Sequence, residues 1–301
     1  MMFDLRQYLS QLNKRRKEKS RYVSKRRYSE LEEKYTLLRN AISSRSNPFC
    51  IRPPLNWIKT YVKASDNLCL FVTFSDRPAI KPYVALHVRA FLDKGFDVIL
   101  IINTNYPGEP IANLDSVSGV NALCVRDNKG FDFGAWSQVM RELDLSTHEN
   151  IVWVNDSIFG PVKIDAFNRM VDRMLGSSAD FVGLTSNGLE MEHIQSFFLM
   201  FKRRLIVDPS FHQYVTNLWQ LPSKSLVIEF YEIRMTQLIK DLGYRCEALF
   251  KLPNRDGHEL TYHYPTELIA SGFPYVKTAL IKSGHDEGMA HRHLPTCLPL
   301  E

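Results

Sequence analysis

Leu68-Cys69-Leu70-Phe71-Val72-Thr73-Phe74 is an unbroken apolar run of strand length, the pattern of a β-strand covered on both faces. Ser75-Asp76-Arg77-Pro78 turns the chain, and residues 81–94 place Tyr83, Leu86, Val88 and Phe91 near one side of a helix. A second buried strand, residues 96–102, ends in the polar turn Asn103-Thr104-Asn105. A third falls around Ala122-Leu123-Cys124-Val125, followed by a helix over about 134–143. The fourth, Ile151-Val152-Trp153-Val154, ends at Asn155-Asp156-Ser157, and a fifth over 180–185 follows another helix. Strands separated by helices imply βαβ units, hence an α/β fold with a parallel sheet and right-handed crossovers. Ligands sit at the carboxyl ends of such strands. One site is therefore expected from residues 73–77, 103–105, 126–136 and 155–157.

Beyond residue 190 the pattern loosens. Residues 195–201 are aromatic and strand-like, helices are expected over about 208–218 and 224–242, and Pro253, Pro265, Pro274 and Pro295 break up the end. Upstream, residues 3–44 contain no Gly or Pro and read as helix, with Leu5, Tyr8, Leu9 and Leu12, then Leu31, Tyr35, Leu38 and Ile42, at helical spacing. Residues 1–50 carry 13 Lys and Arg against 5 Asp and Glu, whereas the rest carry 25 against 28, so the overall charge of +5 belongs to this arm. A solvated face or short coiled coil accounts for it, as does adhesion of residues 1–45 to anionic headgroups at ~1 kcal/mol per basic residue. No recognition motif accompanies the charge, so nucleic acid is not expected as a partner. Ser46-Asn47-Pro48 and Pro53-Pro54 mark a linker between the arm, 1–50, and a domain over 51–301.

The 301 residues are 45% apolar, 24% charged and 12% aromatic, an ordinary soluble composition. No apolar run approaches the ~20 residues of a bilayer span, and the first residues lack a signal-peptide core. A cytoplasmic protein is expected, with the arm offering contact to the inner face of the membrane. Cys50, Cys69, Cys124, Cys246 and Cys297 are scattered, which suggests neither a disulfide framework nor a zinc site.

Chemistry concentrates in four places. In the segment Arg126-Asp127-Asn128-Lys129-Gly130-Phe131-Asp132-Phe133-Gly134-Ala135-Trp136, the glycines allow close backbone approach to a ligand near a helix N-terminus that favours phosphate. Asp132 serves equally well as a helix cap. Asp156, at a strand end, can hold Mg²⁺ or Mn²⁺ beside a diphosphate, or simply close an Asx-turn. His193, in His193-x-Gln195-Ser196, lies after Glu190 and Glu192 and reads as a phosphate or hydroxyl donor or as a structural histidine. Glu232 sits on a helix with Glu229 and Thr236 one turn away, where partial burial suits a general base and a surface i,i+4 pair is the alternative. His285, Asp286, His291 and His293 have no regular ligand spacing and read as a tail.

The segment 126–136, then Asn155-Asp156-Ser157-x-x-Gly160-Pro161, His193-x-Gln195-Ser196-Phe197-Phe198 and Tyr231-Glu232 together resemble the rhamnan synthesis protein F family, as do Tyr264-Pro265-Thr266 and Pro274-Tyr275-Val276-Lys277. The resemblance covers about residues 65–280 and implies a GT-A-like, Rossmann-type, mostly parallel sheet flanked by helices, with the helical arm outside it. It also implies a glycosyltransferase acting in cell-surface polysaccharide assembly. The donor would be a nucleotide-sugar, with rhamnose or another deoxyhexose as candidate, and the acceptor a polysaccharide or lipid-linked glycan. On that basis Thr73, Ser75 and Asp76 contact the nucleotide, while Asn128, Gly130, Asp132, Gly134 and Trp136 shape the diphosphate and sugar pocket. Asn155, Ser157 and Gln195 complete the substrate contacts, Asp156 holds the divalent cation, and Glu232 or His193 handles the acceptor in an inverting transfer. The usual acidic pair or triplet is Asn-Asp-Ser in this chain, a departure that bears on the metal. The rival reading is a non-catalytic glycan- or nucleotide-sugar-binding module that assists a partner transferase.

Overall fold

The computed structural model describes residues 48–188, 191–253, 255 and 258–282, together with position 36. The basic arm, apart from that position and residues 48–50, lies outside the described residues, as do Glu190, Cys297 and the His285–His293 group.

Twelve strands form among these residues: β1 (Asn56–Lys59), β2 (Asn67–Phe74), β3 (Asp97–Thr104), β4 (Ala122–Asp127), β5 (Asn150–Asn155), β6 (Ile158–Phe159), β7 (Phe181–Gly183), β8 (Ser186–Asn187), β9 (His193–Ile194), β10 (Phe198–Lys202), β11 (Cys246–Ala248) and β12 (Val276–Lys277). Eight of them make the central sheet, in the order β1-β4-β3-β2-β5-β10-β7-β11. β4, β3, β2 and β5 run parallel, with Phe71 opposite Leu100 on one side and Val154 on the other. Successive residues of β2 point to opposite faces: Leu68, Leu70 and Val72 enter one core, Cys69 and Phe71 the other. Both cores are covered by helices, which is why the run shows no polar alternation.

Helices α1 (Pro82–Asp93) and α3 (Ile164–Gly176) cover one face through Val84, Val88, Phe91, Phe167 and Met170. The other face is covered by α2 (Phe131–Glu142), α4 (Pro209–Thr216) and α5. α5 runs without a break through Lys224–Val227, a π-helical turn at Ile228–Glu232, and Ile233–Asp241. The expectation of helices near 81–94, 208–218 and 224–242 agrees with these spans.

Three differences from the sequence reading have physical causes. The stretch expected over 180–185 pairs only through β7, and β10 lies antiparallel between β5 and β7. Its connection from β7 contains the small β8–β9 ribbon and no crossover helix, so the chain returns in the opposite direction. β1 adds an antiparallel edge strand beside β4. Residues 48–53, read as a linker, pack onto the domain: Phe49 is buried, its carbonyl accepts the Gln220 N–H at 2.7 Å, and the Pro53 carbonyl accepts Gln138 Nε2 at 2.5 Å.

The strand order positions the site. From β2 the chain steps outward to β3 and β4, then returns to place β5 on the opposite flank of β2. That reversal opens a crevice at the carboxyl ends of β2 and β5.

Candidate active site

Asp156 follows β5 directly and closes this crevice. Its Oδ2 accepts hydrogen bonds from the Thr73 hydroxyl at 2.6 Å, the Phe74 backbone N–H at 3.2 Å and the Lys81 ammonium at 2.6 Å. Lys81 is the residue that opens α1, with Pro82 behind it in the first turn, and its ammonium also donates to the Phe74 carbonyl at 2.5 Å. The Tyr83 hydroxyl donates to the Asp156 carbonyl at 3.4 Å. Burial, with the Asp156 charge added, pushes the Tyr83 phenol well above its ordinary pKa.

The flanking residues turn elsewhere. Ser157 donates to Asn155 Oδ1 through its backbone N–H at 3.1 Å and its hydroxyl at 2.6 Å, an Asx-turn. Asn155 Nδ2 donates at 2.7 Å to Asp132 in the first turn of α2, where Gly130 occupies the N-cap position. Burial raises the Asp132 carboxyl above its usual range; the Asn155 hydrogen bond opposes this and the Glu232 charge adds to it.

A second polar group lies next along the crevice. Glu232, in the π-helical turn of α5, accepts the Ser196 hydroxyl on Oε2, and its Oε1 is 3.6 Å from His193 Nε2. His193 Nδ1 lies 2.7 Å from the Met191 carbonyl, so both ring nitrogens face oxygen atoms. Burial by itself pushes the Glu232 carboxyl up. The close His193 ring, the Ser196 hydrogen bond and the Lys277 charge outweigh it and hold the group below its ordinary value. Gln195 accepts the Thr185 hydroxyl at 2.7 Å and donates to Glu259 at 3.1 Å. Glu192 is exposed and pairs with Lys240 at 3.8 Å.

Lys277, on β12, has its ammonium 4.3 Å from the centre of the Phe197 ring. Among the described residues no carboxylate pairs with it within 4.0 Å. Burial lowers its pKa to about 8, against the upward pull of Glu232 and Glu259. Lys81, Lys277 and Glu259 escaped the reading of site residues from sequence. Only Lys81 carried a local signal, a basic residue just before a helix-opening proline at a strand end.

Several of the residues expected to contact substrate make structural contacts. Trp136 is wholly buried, donates to the Leu70 carbonyl at 3.0 Å and stacks on Trp153 at 4.8 Å. Truncating such a residue costs ~3–5 kcal/mol of stability. Gly130 and Gly134 are close-approach positions, but the close neighbour is Gln220: a Cβ added at Gly130 would lie 2.7 Å from its Oε1, and one at Gly134 2.6 Å. Gly130 also has a φ of +73°, a left-handed value that glycine adopts at little cost. Ser75 exchanges hydrogen bonds with Ala79, and the exposed Asp76 accepts Asn105 Nδ2 at 2.7 Å, so both hold the turn after β2. Asn128 bonds through its backbone, donating to the Thr104 carbonyl at 3.2 Å. This loop is organised from beneath by Arg126. Its buried guanidinium donates to Asn103 at 3.0 Å, Gln138 at 3.1 Å, Gln220 at 2.8 Å and the Lys129 carbonyl at 2.7 Å.

The expected divalent cation is poorly matched by these side chains. Among the described residues no three His, Cys, Asp or Glu side chains group as ligands. Asp156, the one carboxylate at the strand end, already shares its Oδ2 with an ammonium, a hydroxyl and a backbone N–H.

Residues 98–297 match the family model described as rhamnan synthesis protein F, which covers β3 through the last described helix. The chain belongs to this family. It is similar to the uncharacterized protein y4gN of Sinorhizobium fredii (strain NBRC 101917 / NGR234), 26% identical over 171 residues, covering 55% of this chain and 44% of that one. It is also similar to the virulence protein VirA of Vibrio anguillarum (strain ATCC 68554 / 775), 22% identical over 203 residues, covering 56% of this chain and 64% of that one. The chain thus spans roughly half to two thirds of these relatives. Among the described residues no helix is long and apolar enough to cross a membrane.

Proposed function

We propose that this chain is a glycosyltransferase with a GT-A-type domain, moving a sugar from a nucleotide-sugar donor to a polysaccharide or lipid-linked glycan. Membership in the rhamnan synthesis protein F family supports polysaccharide biosynthesis as the setting, and makes rhamnose or another deoxyhexose the first donor to try. The carrying observation is that strand reversal brings Lys81, Asp156 and Thr73 to the same sheet end as Asn155, whose partner Asp132 lies in the field of Glu232. A cation-bearing strand end suits a leaving diphosphate, and an ionised carboxylate suits an incoming hydroxyl.

In this reading Glu232 accepts the proton of the acceptor hydroxyl as its oxygen attacks the anomeric carbon. The bond from that carbon to the diphosphate breaks, its electron pair leaves with the nucleotide, and configuration inverts. Ser196 and His193 hold the Glu232 carboxylate in place.

Because those same contacts weaken Glu232 as a base, a binding module that serves a partner transferase is the second reading. A donor screen read by mass spectrometry, with wild type and Glu232→Gln compared, separates the two. Transfer by wild type and a loss of about 10²–10⁴-fold in the variant, with donor binding kept, is the expected result. Equal turnover by the variant removes Glu232 from the chemistry. Nucleotide binding without turnover of any donor favours the module.

A further inference from the structure

We infer that Lys81 takes the place of a divalent cation at this site, so that the diphosphate of the donor is bound without a metal. The inference rests on the nucleotide-sugar reading above, and it begins from the mismatch between Asp156 and a metal. Mg²⁺ and Ca²⁺ sites place oxygen ligands at about 2.0–2.6 Å and draw on several oxygens. Asp156 Oδ2 has the Lys81 ammonium at 2.6 Å, where an ion on that oxygen would have to stand. The adjacent Asn155 is committed as well: its Oδ1 accepts two hydrogen bonds from Ser157, and its Nδ2 donates to Asp132.

Lys81 meets the chemical requirement that the metal would have met. Its ammonium is fixed by two of its three N–H groups, one to Asp156 and one to the Phe74 carbonyl at 2.5 Å. The third is left for an incoming oxygen, and the side chain keeps 27% of its surface open to solvent. Lys81 also opens the 12-residue helix α1, whose dipole adds positive potential of the same sense at the crevice. Thr73 and the Phe74 N–H hold Asp156 from β2, so the ion pair bridges the two strands that form the crevice. An Asp156 shared this way positions the lysine and need not touch the ligand.

The test is calorimetric titration of the full chain with uridine diphosphate and thymidine diphosphate, in EDTA and again with Mg²⁺ or Mn²⁺. The expected result is binding in EDTA with an affinity that the ions change by less than about threefold, well under the tenfold that corresponds to ~1.4 kcal/mol. Lys81→Met should weaken binding about ten- to hundredfold under both conditions, the range for a lost hydrogen bond to a charged group, and Lys81→Arg should recover part of it. Binding that requires the ion, or wild-type affinity in a folded Lys81→Met variant, overturns the inference while leaving the nucleotide reading standing. Absence of binding to either nucleotide under every condition overturns the nucleotide reading and the inference with it. The comparison with and without EDTA uses wild type alone, so it decides the matter even if the variants fold poorly.

Discussion

Thr73 Oγ1 and Asp156 Oδ2 lie 2.6 Å apart, although the two residues are separated by 83 positions in the chain. One is the penultimate residue of β2 and the other follows β5, the pair of parallel neighbours across which the strand order reverses. The hydrogen bond therefore ties the two walls of the crevice together at its floor. Thr73 is wholly buried, so its hydroxyl has few alternative partners, and Asp156 is the group that orients Lys81.

Replacing Asp156 with Ala should abolish transfer, by two or more orders of magnitude if the ammonium it orients stabilises the leaving diphosphate. The fold should persist at some cost in stability, because the Lys81 ammonium is partly exposed and can be hydrated while the buried Thr73 hydroxyl loses its acceptor. Product formation by mass spectrometry and the melting temperature of the variant check the two halves separately. Turnover like that of wild type would remove Asp156 from the site.

Lys277 should impose an alkaline limb on activity. Its pKa of about 8 means the cation beside Glu232 is lost as pH rises through that value. We expect kcat/KM to fall above pH ~8 in wild type, and the limb to move to higher pH in Lys277→Arg, because the guanidinium stays charged. A pH–rate profile of both proteins is the measurement. An unchanged limb in the variant assigns it to another group.

His87 should make the fold sensitive to acid. It is buried among Phe71, Phe91, Phe167 and Phe198, lies 2.8 Å from the Tyr275 hydroxyl, and burial lowers its pKa to about 3. The folded pKa lies below the unfolded one, so only the unfolded chain takes up this proton between pH ~6.5 and ~3. Stability should be unaffected by this group above pH ~6.5 and should fall below it by up to about 1.4 kcal/mol per pH unit. Chemical denaturation from pH 7 to 5 should show a smaller loss with pH in His87→Gln than in wild type, whatever the absolute stability of the variant.

The basic arm predicts salt-sensitive adhesion to anionic surfaces. Sedimentation with vesicles containing phosphatidylserine should decrease as salt shortens the ~10 Å screening length at 0.1 M, and should be lost on deletion of residues 1–45. Binding that ignores salt, or none at all, leaves the arm as a coiled-coil or solvated segment.

The legible part of this protein was local. The β2, β3, β4 and β5 runs announced themselves because a strand covered on both faces must be apolar throughout, and the helices between them dictated parallel pairing. Asp156 was legible because a polar residue that ends such a run has to stand at the carboxyl edge. The resemblance carried by residues 126–136, 155–161, 193–198 and 231–232 pointed to the family that the match over residues 98–297 then established. Trp136, Gly130 and Gly134 share one feature that no local pattern shows. Each has a motif that suits a ligand, and each is answered instead by a distant residue: Leu70 and Trp153 for the tryptophan, Gln220 for the glycines.

By itself, then, the sequence determined the parallel heart of the sheet, the crevice at its carboxyl ends and the place of Asp156 there, because periodicity and strand termini are properties of short stretches. Only the tertiary structure decided what Asp156 faces. The Lys81 ammonium reaches it from the turn after β2, across 75 positions, and Glu232 reaches its neighbourhood from a π-helical turn far along the chain. Whether a strand-end carboxylate holds a metal or a lysine depends on which charge folding brings within hydrogen-bond distance, and no local pattern encodes that distance.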